Sequence, residues 1–282
     1  MKRTEQLISQ LKQLPPAPTV LIELMNSFRQ ADRDVDRIVT LIMHDPALTA
    51  EVLKLCNGTY FAADHPVDDV FEAVTRVGFY EVYRMVAAIS CSRMFSSGPG
   101  NSALDMSHFW RHSVTCAVIA EIMAEKFEDR QGLAFTAGLL HDIGKLILAS
   151  VEADAYTEVV HRPQLDEATL LQAEQNLFGT QHAELGACLL ARWKLPDPLV
   201  TAVRLHHESA HAEPMDRLIS CVQVGNTLAH LVQPDNSPAT VAALETSDPA
   251  AFLPLRAEEL PGLLSQVQGR MEKLNSLLTI GS

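Results

Sequence analysis

The chain has 282 residues, of which 47% are apolar and 20% charged, enough to bury a substantial core and unlike the composition of a disordered chain. Lysine plus arginine number 22 and aspartate plus glutamate 35, a net charge of −13. That balance argues against delocalised binding to nucleic acid or an anionic membrane, which needs a basic surface, but leaves room for a small phosphorylated ligand, because a bound metal can reverse the local field.

Met1-Lys2-Arg3 is followed by Thr4-Glu5-Gln6, without the apolar stretch a signal peptide needs, and no run of eighteen apolar residues follows. The expected setting is the cytoplasm, with no membrane span. Apolar residues then recur at helical spacing: Leu21, Leu24, Met25 and Phe28; Val35, Ile38, Val39 and Ile42; Val82, Met85, Val86 and Ile89. Asp45-Pro46 and Pro196-Asp197-Pro198 read as helix starts with proline near the first turn. Asp45 is expected to cap its helix, which leaves His44 a boundary residue and the first segment without catalytic groups. Two-residue alternation is scarce and aromatics are 6%, so the expected fold is all-α, with about a dozen helices. The turn formers Ser96–Ser102 read as a linker, and Gln233–Pro238 as a second break. The expected division is therefore 1–100, 101–232 and a C-terminal helical cap over 233–282. Cys56, Cys91, Cys116, Cys188 and Cys221 form no C-x-x-C pair and lie among apolar residues, as reduced core thiols do.

The chemistry concentrates in histidines. His141-Asp142 lies inside the apolar run Gly138-Leu139-Leu140-His141-Asp142-Ile143-Gly144-Lys145-Leu146, where a carboxylate is costly unless paired, hydrogen-bonded or bound to metal. The same run is not a phosphate-binding P-loop, because five residues separate its glycines and Leu146 stands where a Ser or Thr is needed. His108 and His112 share a helix face, His182 opens a helical segment, and His206-His207-Glu208 ends another. A lone helical histidine is ordinarily a hydrogen-bonded core or surface residue, and His44, His65, His161, His211 and His230 are read so, as is His108 taken alone. Five imidazoles and a carboxylate in apolar helices are hard to satisfy separately, whereas one or two shared divalent ions satisfy His112, His141, Asp142, His182, His206 and His207 together. Histidine-rich ligation with one carboxylate favours Fe, Mn, Zn or Ni over Mg or Ca.

His112 followed by His141-Asp142 resembles the H…HD…D pattern of HD-superfamily metal-dependent phosphohydrolases. The N-terminal part resembles a narrower family, the HDOD domain, through Leu14-Pro15-Pro16-Ala17-Pro18, His44-Asp45-Pro46-Ala47-Leu48, Lys54-Leu55-Cys56-Asn57 and Ala73-Val74-Thr75-Arg76-Val77-Gly78. The resemblance runs from about residue 14 to about residue 230. It implies a helical N-terminal lobe packed on an HD-type helical lobe. Against the related HD-GYP phosphodiesterases, His112, His141, Asp142, His182, His206 and His207 match the ligand positions by motif order, and Lys145 matches the phosphate-contacting lysine. In a catalyst of that kind Asp142 and Lys145 would carry the reaction. Two departures stand against hydrolysis. Asn226 occupies the place of the closing aspartate, and no Gly-Tyr-Pro segment follows His206-His207-Glu208. The resemblance therefore implies a bacterial signal-transduction module with an HD-type metal site, acting through signalling protein partners. The alternatives are a metal-dependent phosphohydrolase acting on a nucleotide or other phosphate ester, and a scaffold pinned by its metal. Asn226 is expected at the cavity edge, bonded to a ligand.

Overall fold

The structure, a computed structural model, describes residues 2–11, 17–28, 35–58, 65–96, 104–127, 130–161, 166–208, 217–231 and 259–278. The Leu14-Pro15-Pro16 run, the linker after Ser96, His211, Gln233–Pro238 and most of the stretch leading to the last helix lie outside the described residues. The helices are α1 (Lys2–Gln10), α2 (Thr19–Phe28), α3 (Val35–Met43), α4 (Pro46–Cys56), α5 (Val70–Val77), α6 (Phe79–Ser96), α7 (Met106–Lys126), α8 (Gln131–Leu140), α9 (Ile143–Val151), α10 (Ala153–Val160), α11 (Glu167–Phe178), α12 (His182–Arg192), α13 (Asp197–Leu205), α14 (Arg217–Leu231) and α15 (Leu260–Leu278). The described residues contain no strand, and the fold is all-α.

The chain forms two compact units, one of residues 16–96 and 268–282, the other of residues 1–15 and 97–267. In the first, α2 to α6 pack on one another around Leu21, Leu24, Met25, Ile38, Ile42, Val82, Met85, Val86 and Ile89, all buried at the spacing the sequence shows. Asp45 caps α4: its Oδ1 accepts the Leu48 N–H at 2.9 Å, and Pro46 sits in the first turn, where a missing N–H costs nothing. The other Asp45 oxygen accepts from Arg93 at 3.0 Å, and His44 is exposed. Asn57 ties down the segment before α5, accepting the Val67 N–H at 2.7 Å and donating to the Val67 carbonyl at 2.9 Å.

The second unit is built around α7, which is buried along nearly its whole length between α8 and α14. Glycines set these approaches. A Cβ on Gly138 would come within 2.6 Å of the Ala117 Cα, so α8 can lie this close to α7 only without a side chain there. Gly144 does the same between α9 and α12, where a Cβ would strike the His182 carbonyl. α1 also belongs to this unit, packing on α9 and α12. The stretch Gln131–Val151 is long and apolar enough to cross a membrane by length and composition, but it is mostly buried inside the fold and is broken into α8 and α9 at His141-Asp142. Four of the five cysteines are buried, Cys188 is half-buried, and none is in a disulfide.

Candidate metal centre

Of the polar residues that line the second unit's interior, His141, Asp142, His182, His206 and His207 sit where its helices begin, end or break. His112 lies in the second turn of α7, a helix whose first N–H groups are taken by Asp105, which accepts from Ser107 and His108 at 3.0 Å each. His141 and Asp142 form the break between α8 and α9. His182 is the first residue of α12, and His206 and His207 follow the last turn of α13. The end of α13 is held by Gln223 of α14, whose amide nitrogen donates to the carbonyls of Leu205 at 3.1 Å and Glu208 at 2.7 Å. These breaks free the imidazoles from helical spacing, so rings far apart in sequence can face one another.

They do converge. His112 Nε2 lies 3.2 Å from His141 Nε2, and His182 Nε2 lies 2.8 Å from His207 Nε2. Asp142 spans both pairs: its Oδ2 is 3.3 Å from His141 Nε2 and 3.6 Å from His112 Nε2, while its Oδ1 is 3.2 Å from His182 Nε2 and 3.7 Å from His206 Nε2. Among the described residues two groups could hold a metal ion: Asp142 with His182, His206 and His207, and His112 with His141 and Asp142. Every candidate ligand read from the sequence is thus in one cluster. His108 is exposed and outside it, and His44, His65 and His161 are exposed as well. His230 is exposed too, as an ordinary surface histidine is, but its ring lies tilted against His112 at 4.4 Å between centroids.

The outward faces of the rings fix which nitrogen is available inside. His141 Nδ1 is 2.7 Å from the Gly138 carbonyl and His206 Nδ1 is 2.6 Å from the Val203 carbonyl. His182 Nδ1 is 2.8 Å from Glu174 Oε2, and His207 Nδ1 is 3.2 Å from Glu167 Oε1. Carbonyls and carboxylates accept, so this network assigns one proton to Nδ1 and, in each ring that is neutral, leaves the Nε2 lone pair facing the cavity. Two lone pairs at 2.8 Å repel unless a proton or a cation lies between them. Asp142 Oδ1 and His206 Nε2 are buried without a hydrogen-bond partner within the chain, a costly state that a divalent ion would relieve. The residues fit a metal, and the Nδ1 acceptors are the outer hydrogen bonds that metal-ligating histidines ordinarily make.

Electrostatics agree. Burial lowers the pKa of His112 and His207 well below the usual imidazole range and that of His206 to about 4. Burial also opposes charge on His141 and His182, but Asp142 beside the first and Glu174 beside the second outweigh it and raise both. Asp142, despite its burial, is held well below the usual carboxylate range by His141 and Lys145. Lys145 Nζ donates to Asp142 Oδ2 at 2.6 Å. Without an ion, a few shared protons answer the buried carboxylate.

Three contributors escape sequence reading. Glu174 accepts the His182 backbone N–H and Nδ1 at 2.8 Å each, and Tyr156 donates to its other oxygen at 3.2 Å. Glu167 accepts from Asn226 Nδ2 at 2.7 Å, and His230 adds a ring. Buried glutamates in an ordinary helix carry no local signal, so only the fold reveals Glu174. Asn226 stands as expected, its Oδ1 3.0 Å from His112 Nε2.

The second unit is thus an all-helical fold enclosing a His/Asp cluster that could hold a metal ion. The HDOD domain model matches residues 14–209, and the chain belongs to the HDOD domain family. An uncharacterized protein of Treponema pallidum (strain Nichols) is 29% identical over 237 residues, covering 80% of this chain and 44% of that protein, so the chain spans less than half the length of this relative. Ribonuclease Y of a Nitratiruptor species is 30% identical over 118 residues, 42% of this chain and 17% of that protein. Among solved structures, an HDOD domain protein of unknown function from Geobacter sulfurreducens superposes with a TM-score of 0.77 at 23% identity, over 98% of this chain and 96% of the other.

Proposed function

We propose that this chain is a metal-binding HDOD signalling module of the bacterial cytoplasm, whose ion-loaded helical unit is read by a protein partner. The observation that carries the reading is Asn226, 3.0 Å from His112 inside an otherwise full ligand set. A neutral amide stands where the HD pattern closes with aspartate, so the cluster keeps the means to hold an ion but lacks a carboxylate that hydrolysis would use. The donor set suits Fe, Mn, Zn or Ni, as one ion or as two sharing Asp142. The net charge of −13 suits protein contacts better than nucleic acid. Cysteines outside any disulfide and bacterial relatives support the setting.

A metal-dependent phosphohydrolase acting on a nucleotide or other phosphate ester is the second reading. It is favoured by Lys145, partly open to solvent beside Asp142, and by the partial likeness to ribonuclease Y. A divalent ion bound by the histidines and Asp142 would supply Lewis acidity to a phosphoryl oxygen. Lys145 would hold positive charge against that oxygen, and the apolar helices would exclude water. The test is a panel of phosphomonoesters and phosphodiesters with Mn or Fe, wild type beside His141→Ala. No turnover above that variant is expected. Turnover by the wild type that His141→Ala abolishes, with folding intact, would establish the hydrolase instead.

A further inference from the structure

Asp142, Lys145, Glu174 and Glu167 are the carboxylates and the lysine that touch the histidine cluster among the described residues. Lys145 at 2.6 Å already balances Asp142. Glu174 uses one oxygen on the His182 backbone N–H and Nδ1 and the other on Tyr156, so its charge lies behind the ring. With Asn226 neutral, negative charge for a second cation must come from Glu167. Its position is suggestive. As the first residue of α11, capped by Asp166, it reaches Asn226 Nδ2 at 2.7 Å, His207 Nδ1 at 3.2 Å and His230 Nε2 at 3.7 Å with the same Oε1. It therefore touches the neighbours of both ligand groups, through Asn226 to His112 and directly to His207.

We infer that Glu167 stands in for the carboxylate that Asn226 lacks. By accepting from the Asn226 amide it turns the Asn226 oxygen towards His112 and the cavity, an orientation the reversed amide would lose. Its Oε1, 3.2 Å from His207 Nδ1, favours the proton on that nitrogen and so leaves the His207 Nε2 lone pair facing inward. Its charge, 3.2 Å from His207 and joined to His112 through Asn226, offsets that of the cation. Glu167 is thus a positioning and charge-supplying residue contributed by α11, a helix outside the H…HD…D pattern. This inference rests on the cluster being a metal site.

The test is a charge swap read by metal content and by affinity for added Mn or Zn, without reference to turnover. Glu167→Gln keeps a carbonyl oxygen for Asn226 and removes only the charge; affinity should fall by about 10- to 100-fold, the usual effect of losing an outer partner of a ligand. Asn226→Asp brings a second carboxylate against Glu167. It should lower the melting temperature of the ion-free protein, enlarge the metal-induced rise and tighten binding. Combined, Glu167→Gln and Asn226→Asp move the charge across the hydrogen bond and should return affinity to within a few-fold of wild type, a coupling that independent sites do not show. Wild-type affinity in Glu167→Gln, with the ion lost in His141→Ala, overturns the role of Glu167 and leaves the metal site standing. A wild type that binds no ion overturns both. If Glu167→Gln folds poorly, Asn226→Asp decides: affinity no tighter than wild type overturns the inference.

Discussion

At the scale of the residue, the cluster is a contest between protons and a cation for the same lone pairs. In the ion-free chain, His141 and His182 hold their protons above the ordinary imidazole value, so their contribution to stability is full below about pH 6.5 and is lost as pH rises through their raised pKa values. His112, His206 and His207 have the opposite sign. Their pKa values are depressed, so their contribution is present above about pH 6.5 and is lost as pH falls through the folded values, about 4 for His206. A divalent ion needs every ring neutral, and it must displace the protons of His141 and His182. Metal uptake at pH 7 should therefore release protons, and affinity should fall as pH is lowered. Calorimetric titration with Mn or Zn in two buffers of different ionisation enthalpy reads this directly. Identical heats in the two buffers would contradict it.

Elements position these residues by ending in the right places, and close approach between helices holds the ends. Gly144 lets α9 lie against the first turn of α12, which places Asp142 opposite His182. Gly144→Ala drives a methyl group into the His182 carbonyl. The expected cost is about 1–3 kcal/mol of stability, in the range of core overpacking, together with weaker metal binding. Thermal melting with and without added metal checks both, and an unchanged melt would show that α9 and α12 can part without cost. The cap of α4 is a control in the other unit. Asp45→Ala removes the acceptor for the Leu48 N–H and should cost about 1 kcal/mol in a denaturant titration, with metal content unchanged. Loss of metal in that variant would contradict the assignment of Asp45 as a cap. The start of α4 was legible because proline after aspartate is a local signal. The break between α8 and α9 was not, because Gln131–Val151 is apolar enough on average to read as one helix and only the turn at His141-Asp142 divides it.

Over the whole molecule, the all-helical fold and the identity of the ligands could be read from the chain, since apolar spacing and residue type are local properties. Convergence was inferred from the cost of burying each imidazole alone, and the distances between His112, His141, Asp142, His182, His206 and His207 agree with it. Glu167, Glu174 and His230 could not be read, because a carboxylate or ring that serves a neighbour's ligand has no pattern of its own until α11 and α14 are folded beside it. The place of α1 in the histidine-bearing unit was hidden likewise, since packing on α9 and α12 joins residues far apart in sequence. The central claim is that this cluster holds an ion. Elemental analysis of protein purified without chelator, beside Asp142→Ala confirmed folded by circular dichroism, tests it most directly. The account predicts one or two equivalents of Fe, Mn, Zn or Ni in the wild type and a marked loss in the variant; equal and negligible metal in both would contradict it.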